Sequence, residues 1–254
     1  MDAICFGCVN RLFPKSDKKN VLIYDKIIYL LKEKAGDTMK KRSFVLTIIF
    51  AAVAVVYTAA VKLVDQGAIA PDGSDVGFST FNYMVHWKVG VDMRWYGITE
   101  LIGYIAILVM ASFALMGLVQ LVQRKSIKSV DRSITMMGVT YVVMAACYAL
   151  FEFIVINYRP VIMPGEAELE ASFPSSHTML VCVVFGAGMI AWWRLFSRKP
   201  ALRILLSIVS VLMMLLMIAG RMLSGCHWAT DIIGGVLYAA AIVALYRDLS
   251  KPVR

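Results

Sequence analysis

Long apolar stretches separated by short polar connections run along most of this chain. Six of these stretches approach or reach the roughly 17 to 25 apolar residues that an α-helix needs to cross the hydrocarbon core of a bilayer. In chain order they are Phe44 to Val64, Ile98 to Val122, Ile134 to Ile156, Thr178 to Trp193, Ile204 to Ala219 and Ile232 to Tyr246. The pattern predicts an all-α polytopic membrane protein, a bundle of six transmembrane helices.

The overall composition agrees with this prediction. Hydrophobic residues make up 60% of the 254 residues and charged residues only 17%, a balance that excludes an ordinary water-soluble domain. Two charged residues near span ends, Lys62 and Glu100, can extend their side chains to the membrane interface. Neither residue therefore removes a span.

The formal net charge of +9 is concentrated in alternate connections. Ten Lys and Arg residues precede the first span, four lie in the second-to-third connection, four in the fourth-to-fifth connection and three in the tail. Because basic residues accumulate in cytoplasmic connections, both termini of this multi-pass cell-membrane protein are predicted to be cytoplasmic. Charges divided in this way do not form one basic surface, so no nucleic-acid partner is expected.

The spans divide the chain into three segments. Residues 1–43 are a cytoplasmic N-terminal segment, residues 44–247 the six-span domain and residues 248–254 a cytoplasmic tail. Two interpretations of the N-terminal segment stay open. Residues 21–34 have the spacing of an amphipathic helix on the inner leaflet, or the stretch before Met39 is an artefact upstream of the natural start.

No convincing metal site is evident in the sequence, and no cofactor is predicted. Cys5 and Cys8 form a lone C-x-x-C pair without the second pair that a zinc site needs. Glu166, Glu168 and Glu170 form an acidic loop without histidine partners, which is typical of a solvated edge.

Polar residues concentrate in three clusters in the second half of the chain. The clusters are Arg159-Pro160, then Phe173-Pro174-Ser175-Ser176-His177, then the segment from Arg221 through Ser224-Gly225-Cys226-His227 to Asp231. All three adjoin connections that the charge pattern assigns to the outer face. They are therefore expected to meet at one outward-facing site.

The residue types in these clusters indicate phosphoryl transfer. His227 and Asp231 are four residues apart and share a face if the segment is helical, so the carboxylate can bind one imidazole nitrogen. The other nitrogen is then free to attack phosphorus. His177 is expected to protonate the leaving group and then to activate water.

Four further residues are expected to bind the phosphate. Arg159 and Arg221 can neutralise its oxygens, and Ser175 and Ser176 can donate hydrogen bonds at the start of a helix. The third histidine, His86, has no such surroundings and is predicted to lie in a loop.

In order and spacing, the clusters resemble the motifs of the type 2 phosphatidic acid phosphatase superfamily, which includes membrane lipid phosphatases and vanadium haloperoxidases. The family pattern is K-x6-RP, PSGH and SR-x5-H-x3-D. The chain matches it at Arg159-Pro160, at Pro174-Ser175 and His177, and at Arg221, His227 and Asp231. The six-span topology extends the resemblance to about Phe44 through Tyr246. It implies that His227 becomes transiently phosphorylated.

Three positions depart from this pattern. Ser176 replaces a glycine and Gly220 replaces a serine, and both substitutions keep a small residue. Glu152 stands where the family has lysine, so a potential anion replaces a phosphate-binding cation. A charge inside a span must be paired, neutralised or hydrated. Our hypothesis is that Glu152 does not contact the phosphate.

The sequence favours a metal-independent lipid phosphatase whose site faces the extracytoplasmic side. Candidate substrates are a polyprenyl diphosphate, phosphatidate or phosphatidylglycerol phosphate, because laterally diffusing lipids reach a site at the membrane surface directly. Two alternatives remain: a lipid phosphotransferase that uses the same intermediate, and a non-catalytic membrane protein or transporter that retains the fold. Which lipid is bound, and the oligomeric state, are left open.

Overall fold

The computed structural model describes residues 44–163 and 165–251. The expectations for residues 1–43, including the Cys5 and Cys8 pair, lie outside the described residues. Seven α-helices form within the described ranges. They are α1 (Phe44–Leu63), α2 (Ser79–Val89), α3 (Met93–Arg124), α4 (Arg132–Phe153), α5 (Ser176–Leu195), α6 (Pro200–Ser224) and α7 (Ala229–Leu249).

All of these helices except α2 are long and apolar enough to cross a membrane. The predicted six-span all-α fold is therefore confirmed. Most helices extend a few residues beyond their predicted apolar stretches, because polar residues at both ends continue the helical backbone. Arg221, for example, lies in the last turn of α6, and Asp231 lies in the first turn of α7.

Helices α5 and α7 are the most enclosed of the six spans. Their most apolar windows are 56% buried, whereas the windows of α1, α3 and α6 are 11% buried. Glycines allow close contact between them: a Cβ at Gly186 of α5 would lie 3.0 Å from Val243 of α7. The two helices that carry the histidine motifs thus lie inside the bundle, and the other spans present apolar surface outward.

The connection between α1 and α3 contains more structure than the sequence predicted. Strands β1 (Gly67–Ala68) and β2 (Asp75–Val76) pair antiparallel and lead into α2. Asn82 of α2 is buried and binds Thr230 twice, accepting from its backbone N at 3.2 Å and donating to its hydroxyl at 2.9 Å. This pair fixes α2 to the start of α7.

His86 also lies in α2, so its prediction as a loop residue was wrong. Its ring packs against Trp228 with 5.4 Å between the ring centroids. The residue therefore helps α2 to cover the segment that joins α6 to α7.

Gly225 ends α6 and sets the direction of the chain toward His227. Its φ is +66°, in the left-handed region, and an added Cβ would lie 2.4 Å from the backbone oxygen of Gly90.

We expect Gly225→Ala to lower the free energy of unfolding by about 1 to 3 kcal/mol, because an alanine at this position would be strained and would clash with the backbone of Gly90. Thermal unfolding in detergent measures this loss. Gly138→Ala is the matched control, since a Cβ there meets open space; equal melting temperatures for both variants would contradict the prediction.

Candidate active site

A cavity of about 380 Å³ opens at the end of the bundle where α3, α5 and α7 begin and where α4 and α6 end. Residues of α3, α4, α5 and the loop between α4 and α5 form its walls, together with His227. The lining side chains include Tyr96, Glu100, Tyr148, Phe151, Glu152, Arg159, Glu170, Ser172, Ser176 and His177. Members of all three polar clusters therefore meet here.

His227 lies just before α7 rather than within it. Its side chain is only 1% exposed, and its Nδ1 lies 3.7 Å from Asp231 Oδ2. The expectation of a shared helical face is thus corrected: the pair forms across the N-terminus of α7, whose N-cap is Trp228. At 3.7 Å the two groups are too far apart for a hydrogen bond, but the carboxylate is near enough to attract positive charge that develops on the ring.

The carboxylate of Asp231 is held by neighbours that the sequence did not reveal. Its Oδ1 accepts from the Asn157 side chain at 3.2 Å, and its Oδ2 accepts from the Trp228 backbone N at 2.9 Å. The Trp228 indole in turn donates to the Tyr158 carbonyl at 2.7 Å. Asp231 therefore caps α7 and faces His227 at the same time, in an orientation fixed by two donors.

The surroundings of His227 keep its imidazole neutral. Burial, followed by the positive charges of Arg159 and Arg221, holds the pKa of His227 well below its ordinary value of 6.5. Because a lowered histidine pKa favours the unprotonated form, the ring stays neutral throughout the neutral pH range. A neutral ring retains the lone pair that a nucleophile needs.

Arg159 approaches the nitrogen of His227 that faces away from Asp231. Its Nη1 lies 3.4 Å from His227 Nε2 and also donates to the Cys226 carbonyl at 3.4 Å. Its Nε pairs with Glu170 at 2.8 Å. The sequence suggested that Glu170 belongs to a solvated loop edge. Its carboxylate in fact pairs with Arg159, which is predicted to bind the phosphate.

Arg221 is completely buried beneath the cavity and does not line it. Its Nη2 donates to Glu100 Oε1 at 2.6 Å, and its guanidinium lies over the Tyr96 ring at 5.0 Å from the centroid. Glu100 and Tyr96, one turn apart on α3, thus separate Arg221 from the cavity. A phosphate reaches Arg221 only if the Glu100 side chain moves.

His177 lines the cavity near the start of α5, and its Nε2 lies 3.1 Å from Glu100 Oε1. Its ring packs against the bare backbone of Gly103, where an added Cβ would lie 3.0 Å from His177 Cδ2. The sequence assigned Glu100 to the membrane interface, and the structure instead places it between Arg221 and His177. An ionisable residue inside an apolar span was the signal for this role.

The two serines of the second cluster differ in their positions. Ser176 lines the cavity, whereas the buried Ser175 does not and instead shares a 3.0 Å hydrogen bond with Thr178. The backbone N of Ser175 donates to the Asp231 carbonyl at 3.0 Å, which ties α5 to α7. Of the two predicted phosphate ligands, only Ser176 faces the cavity directly.

Glu152 lines the same cavity as Arg159. The carboxylate can therefore act on a bound phosphate through its charge, and our hypothesis that it makes no direct contact stays a prediction. Because a carboxylate here repels a dianion, we expect Glu152→Gln to lower KM for a phosphomonoester about fivefold, which corresponds to ~1 kcal/mol. Steady-state kinetics of phosphate release measure this change, and an unchanged or higher KM would contradict it.

Among residues 44–163 and 165–251, no group of three or more His, Cys, Asp or Glu side chains is arranged to hold a metal ion. The cavity-lining side chains that can bind a phosphate are those of Arg159, Ser176, His177 and His227. Three glutamates, Glu100, Glu152 and Glu170, lie among them.

Comparisons with known proteins concern the overall fold and the segment that carries the clusters. Residues 152–252, which carry all three clusters, match the model of the PAP2 superfamily. The fold is similar to the crystal structure of the first transmembrane PAP2-type phosphatidylglycerolphosphate phosphatase from Bacillus subtilis, with a TM-score of 0.58 and 16% sequence identity over 79% of this chain and 94% of that chain. No curated protein matches the sequence. The segment that carries the clusters is thus similar to the PAP2 superfamily, and the six-span fold is similar to that of a transmembrane PAP2-type phosphatase.

Proposed function

We propose that the chain is a metal-independent lipid phosphatase that hydrolyses a phosphomonoester or diphosphate lipid through a phosphohistidine intermediate at the extracytoplasmic face. One observation carries this proposal. His227 is a buried, neutral imidazole whose Nδ1 faces Asp231 and whose Nε2 lies beside the Arg159 guanidinium. A nucleophile with an anion behind it and a cation beside its reacting atom is suited to attack on phosphorus.

In the first step, His227 Nε2 attacks the phosphorus atom. An N–P bond forms, the bond from phosphorus to the leaving oxygen breaks, and His177 gives that oxygen a proton. Arg159 neutralises the negative charge that the three non-bridging phosphoryl oxygens share in the transition state. Ser176 donates further hydrogen bonds to them at the N-terminus of α5. Asp231 balances the positive charge that develops on the histidine.

In the second step, water hydrolyses the phosphohistidine. His177, now neutral, accepts a proton from the water as the oxygen attacks phosphorus. The N–P bond breaks, inorganic phosphate forms and His227 regains its lone pair. Each histidine thus returns to its starting state without any cofactor.

The lipid substrate and the outward face are supported by the position of the cavity in the bundle. The cavity lies at one end of the helices, whereas the basic residues Arg124, Lys125, Arg132, Arg194 and Arg247 lie near the opposite ends. Because basic residues favour the cytoplasmic side, the cavity end is assigned to the outside. The similar Bacillus subtilis protein is described as acting on phosphatidylglycerolphosphate, a lipid phosphate.

Phosphate release from a lipid panel in detergent tests the proposal. The panel contains phosphatidate, phosphatidylglycerol phosphate and a polyprenyl diphosphate, each assayed with and without chelator and with an added acceptor lipid. We expect free phosphate from at least one lipid at a rate that chelator does not change. Loss of activity in chelator would contradict metal independence, and transfer to the acceptor in place of release would identify a phosphotransferase.

A further inference from the structure

We infer that Glu100 is a positioning residue for phosphoryl transfer, acting through His177. The inference rests on the proposed function, because it concerns the proton that His177 gives to the leaving group. It adds to the two histidines and Asp231 a carboxylate that lies outside the three polar clusters. Glu100 is on α3, more than fifty residues before the segment that matches the PAP2 model.

The geometry links Glu100 to both sides of the site. A single oxygen, Oε1, lies 3.1 Å from His177 Nε2 and 2.6 Å from Arg221 Nη2. The carboxylate can therefore accept a hydrogen bond from His177 Nε2 and orient the ring. The Nδ1 atom is buried and has no partner among the described residues. A carboxylate that orients an imidazole fixes the direction in which the ring can transfer a proton.

The arrangement parallels the one at the nucleophile. His227 has Asp231 within 3.7 Å of its Nδ1, and His177 has Glu100 within 3.1 Å of its Nε2. Each histidine is thus paired with one carboxylate. Glu100 also lies where its carboxylate can attract the positive charge that the proposed first step requires on the His177 ring.

Close contacts of α3 hold Glu100 in place. A Cβ at Gly220 of α6 would lie 2.5 Å from Thr99 Cγ2, so the glycine lets α3 approach α6. One turn further along α3, Gly103 allows the His177 ring to lie against the helix backbone. The glycine at position 220, where the family has serine, therefore lets α3 lie close to α6 on the turn that carries Glu100.

The position of Glu100 predicts a dependence on the leaving group. An alkoxide is a poor leaving group and needs the His177 proton, whereas a nitrophenolate is a stable anion and leaves without one. A variant that misplaces His177 should therefore lose activity toward alkyl esters only. A variant that damages phosphate binding should lose activity toward both ester types equally.

The test compares two phosphomonoesters that carry the same alkyl chain, one attached through an alkyl oxygen and the other through a nitrophenyl oxygen. The measured quantity is kcat/KM, which reports steps up to departure of the leaving group. We expect Glu100→Gln to reduce kcat/KM for the alkyl ester about 100-fold and for the nitrophenyl ester less than about fivefold. Glu100→Asp, which keeps the charge, should recover part of the loss.

Two further variants accompany the test. Gly103→Ala displaces the His177 ring without changing any charge, so it should reproduce the selective loss even if Glu100→Gln folds poorly. Glu152→Gln alters another cavity carboxylate that has no contact with His177, and it should change both substrates by the same factor. Detergent-solubilised yield and melting temperature verify that each variant is folded.

Equal losses for both esters in Glu100→Gln and Gly103→Ala would overturn the inference and leave Glu100 as a structural counter-ion of Arg221. A higher kcat/KM for both esters in Glu100→Gln would also overturn the inference, because it would show that Glu100 competes with the phosphate for Arg221. If the wild-type protein releases phosphate from neither ester, or if His227→Ala is fully active, the proposed function itself fails and the inference falls with it.

Discussion

Replacement of His227 by alanine should reduce hydrolysis of a lipid phosphate by at least about 10³-fold, because it removes the atom that we propose forms the bond to phosphorus. The loss should appear in kcat/KM for alkyl and nitrophenyl esters alike, since no leaving group can compensate for a missing nucleophile. Residual turnover would then come from the arginine and the remaining cavity donors. Phosphate release under identical detergent conditions measures the effect.

Trapping of a phosphorylated intermediate distinguishes a nucleophilic role of His227 from a purely structural one. Wild-type protein quenched during turnover of a labelled substrate should carry acid-labile, base-stable phosphate, and His227→Ala should carry none. His177→Ala should accumulate the label with the nitrophenyl ester, because the leaving group departs but water is not activated.

Added imidazole should restore part of the activity of His227→Gly. Because the His227 side chain is enclosed by its neighbours, its removal leaves a space that an imidazole molecule can fill. Full activity or normal labelling of His227→Ala would contradict the mechanism.

Removal of the guanidinium at position 159 should have the second-largest effect. Arg159 is the arginine that both lines the cavity and contacts His227, at 3.4 Å from Nε2. We expect Arg159→Ala to lower kcat/KM by about 10² to 10³-fold, as is typical when one donor to the transition-state oxygens is lost. Arg159→Lys should recover only part of this loss, because an ammonium cannot donate in paired geometry.

The control for this prediction is Arg94→Ala. The Arg94 side chain is 89% exposed and pairs with Asp92 at the start of α3, outside the cavity lining. Its removal should leave kcat/KM within about twofold of wild type. A loss in Arg159→Ala no larger than that in Arg94→Ala would show that Arg159 acts only through bulk charge.

The number and order of the spans could be predicted from the sequence, because each one is a continuous apolar run of membrane-crossing length. The helix ends could not be predicted, because the helical hydrogen bonding continues for several residues beyond the point where the sequence becomes polar. Arg221 and Asp231 look like loop residues on a hydropathy scale, yet both lie in terminal helical turns. Helix α2 was missed because its residues alternate between polar and aromatic types without a long apolar run.

Within the site, spacing made Arg159, His177 and His227 candidates, and all three line one cavity. Ser176, which departs from the family motif, lines it too, whereas the predicted phosphate ligands Ser175 and Arg221 do not. The sequence could not reveal contacts made across the bundle, because those depend on which helices become neighbours. Asn157 binds Asp231 from a loop 74 residues away, and Glu100 binds Arg221 from 121 residues away. Glu100 was visible as a charged residue, but it lies only two residues inside the predicted span, which favoured an interfacial role. The helix in fact begins at Met93, about two turns before Glu100.

Because α3 contributes residues to the site, the segment that follows it cannot be separated from it without changing the site. The segment that matches the PAP2 model begins at residue 152, yet the carboxylate and aromatic ring that flank Arg221 come from residues 96–100. Residues 152–252 are therefore not a self-sufficient catalytic module that can be transplanted between scaffolds. In a chimera that keeps this segment and takes its first three spans from a PAP2-type protein, the proposed nucleophile would be native while the surroundings of the proposed proton donor would come from the foreign half.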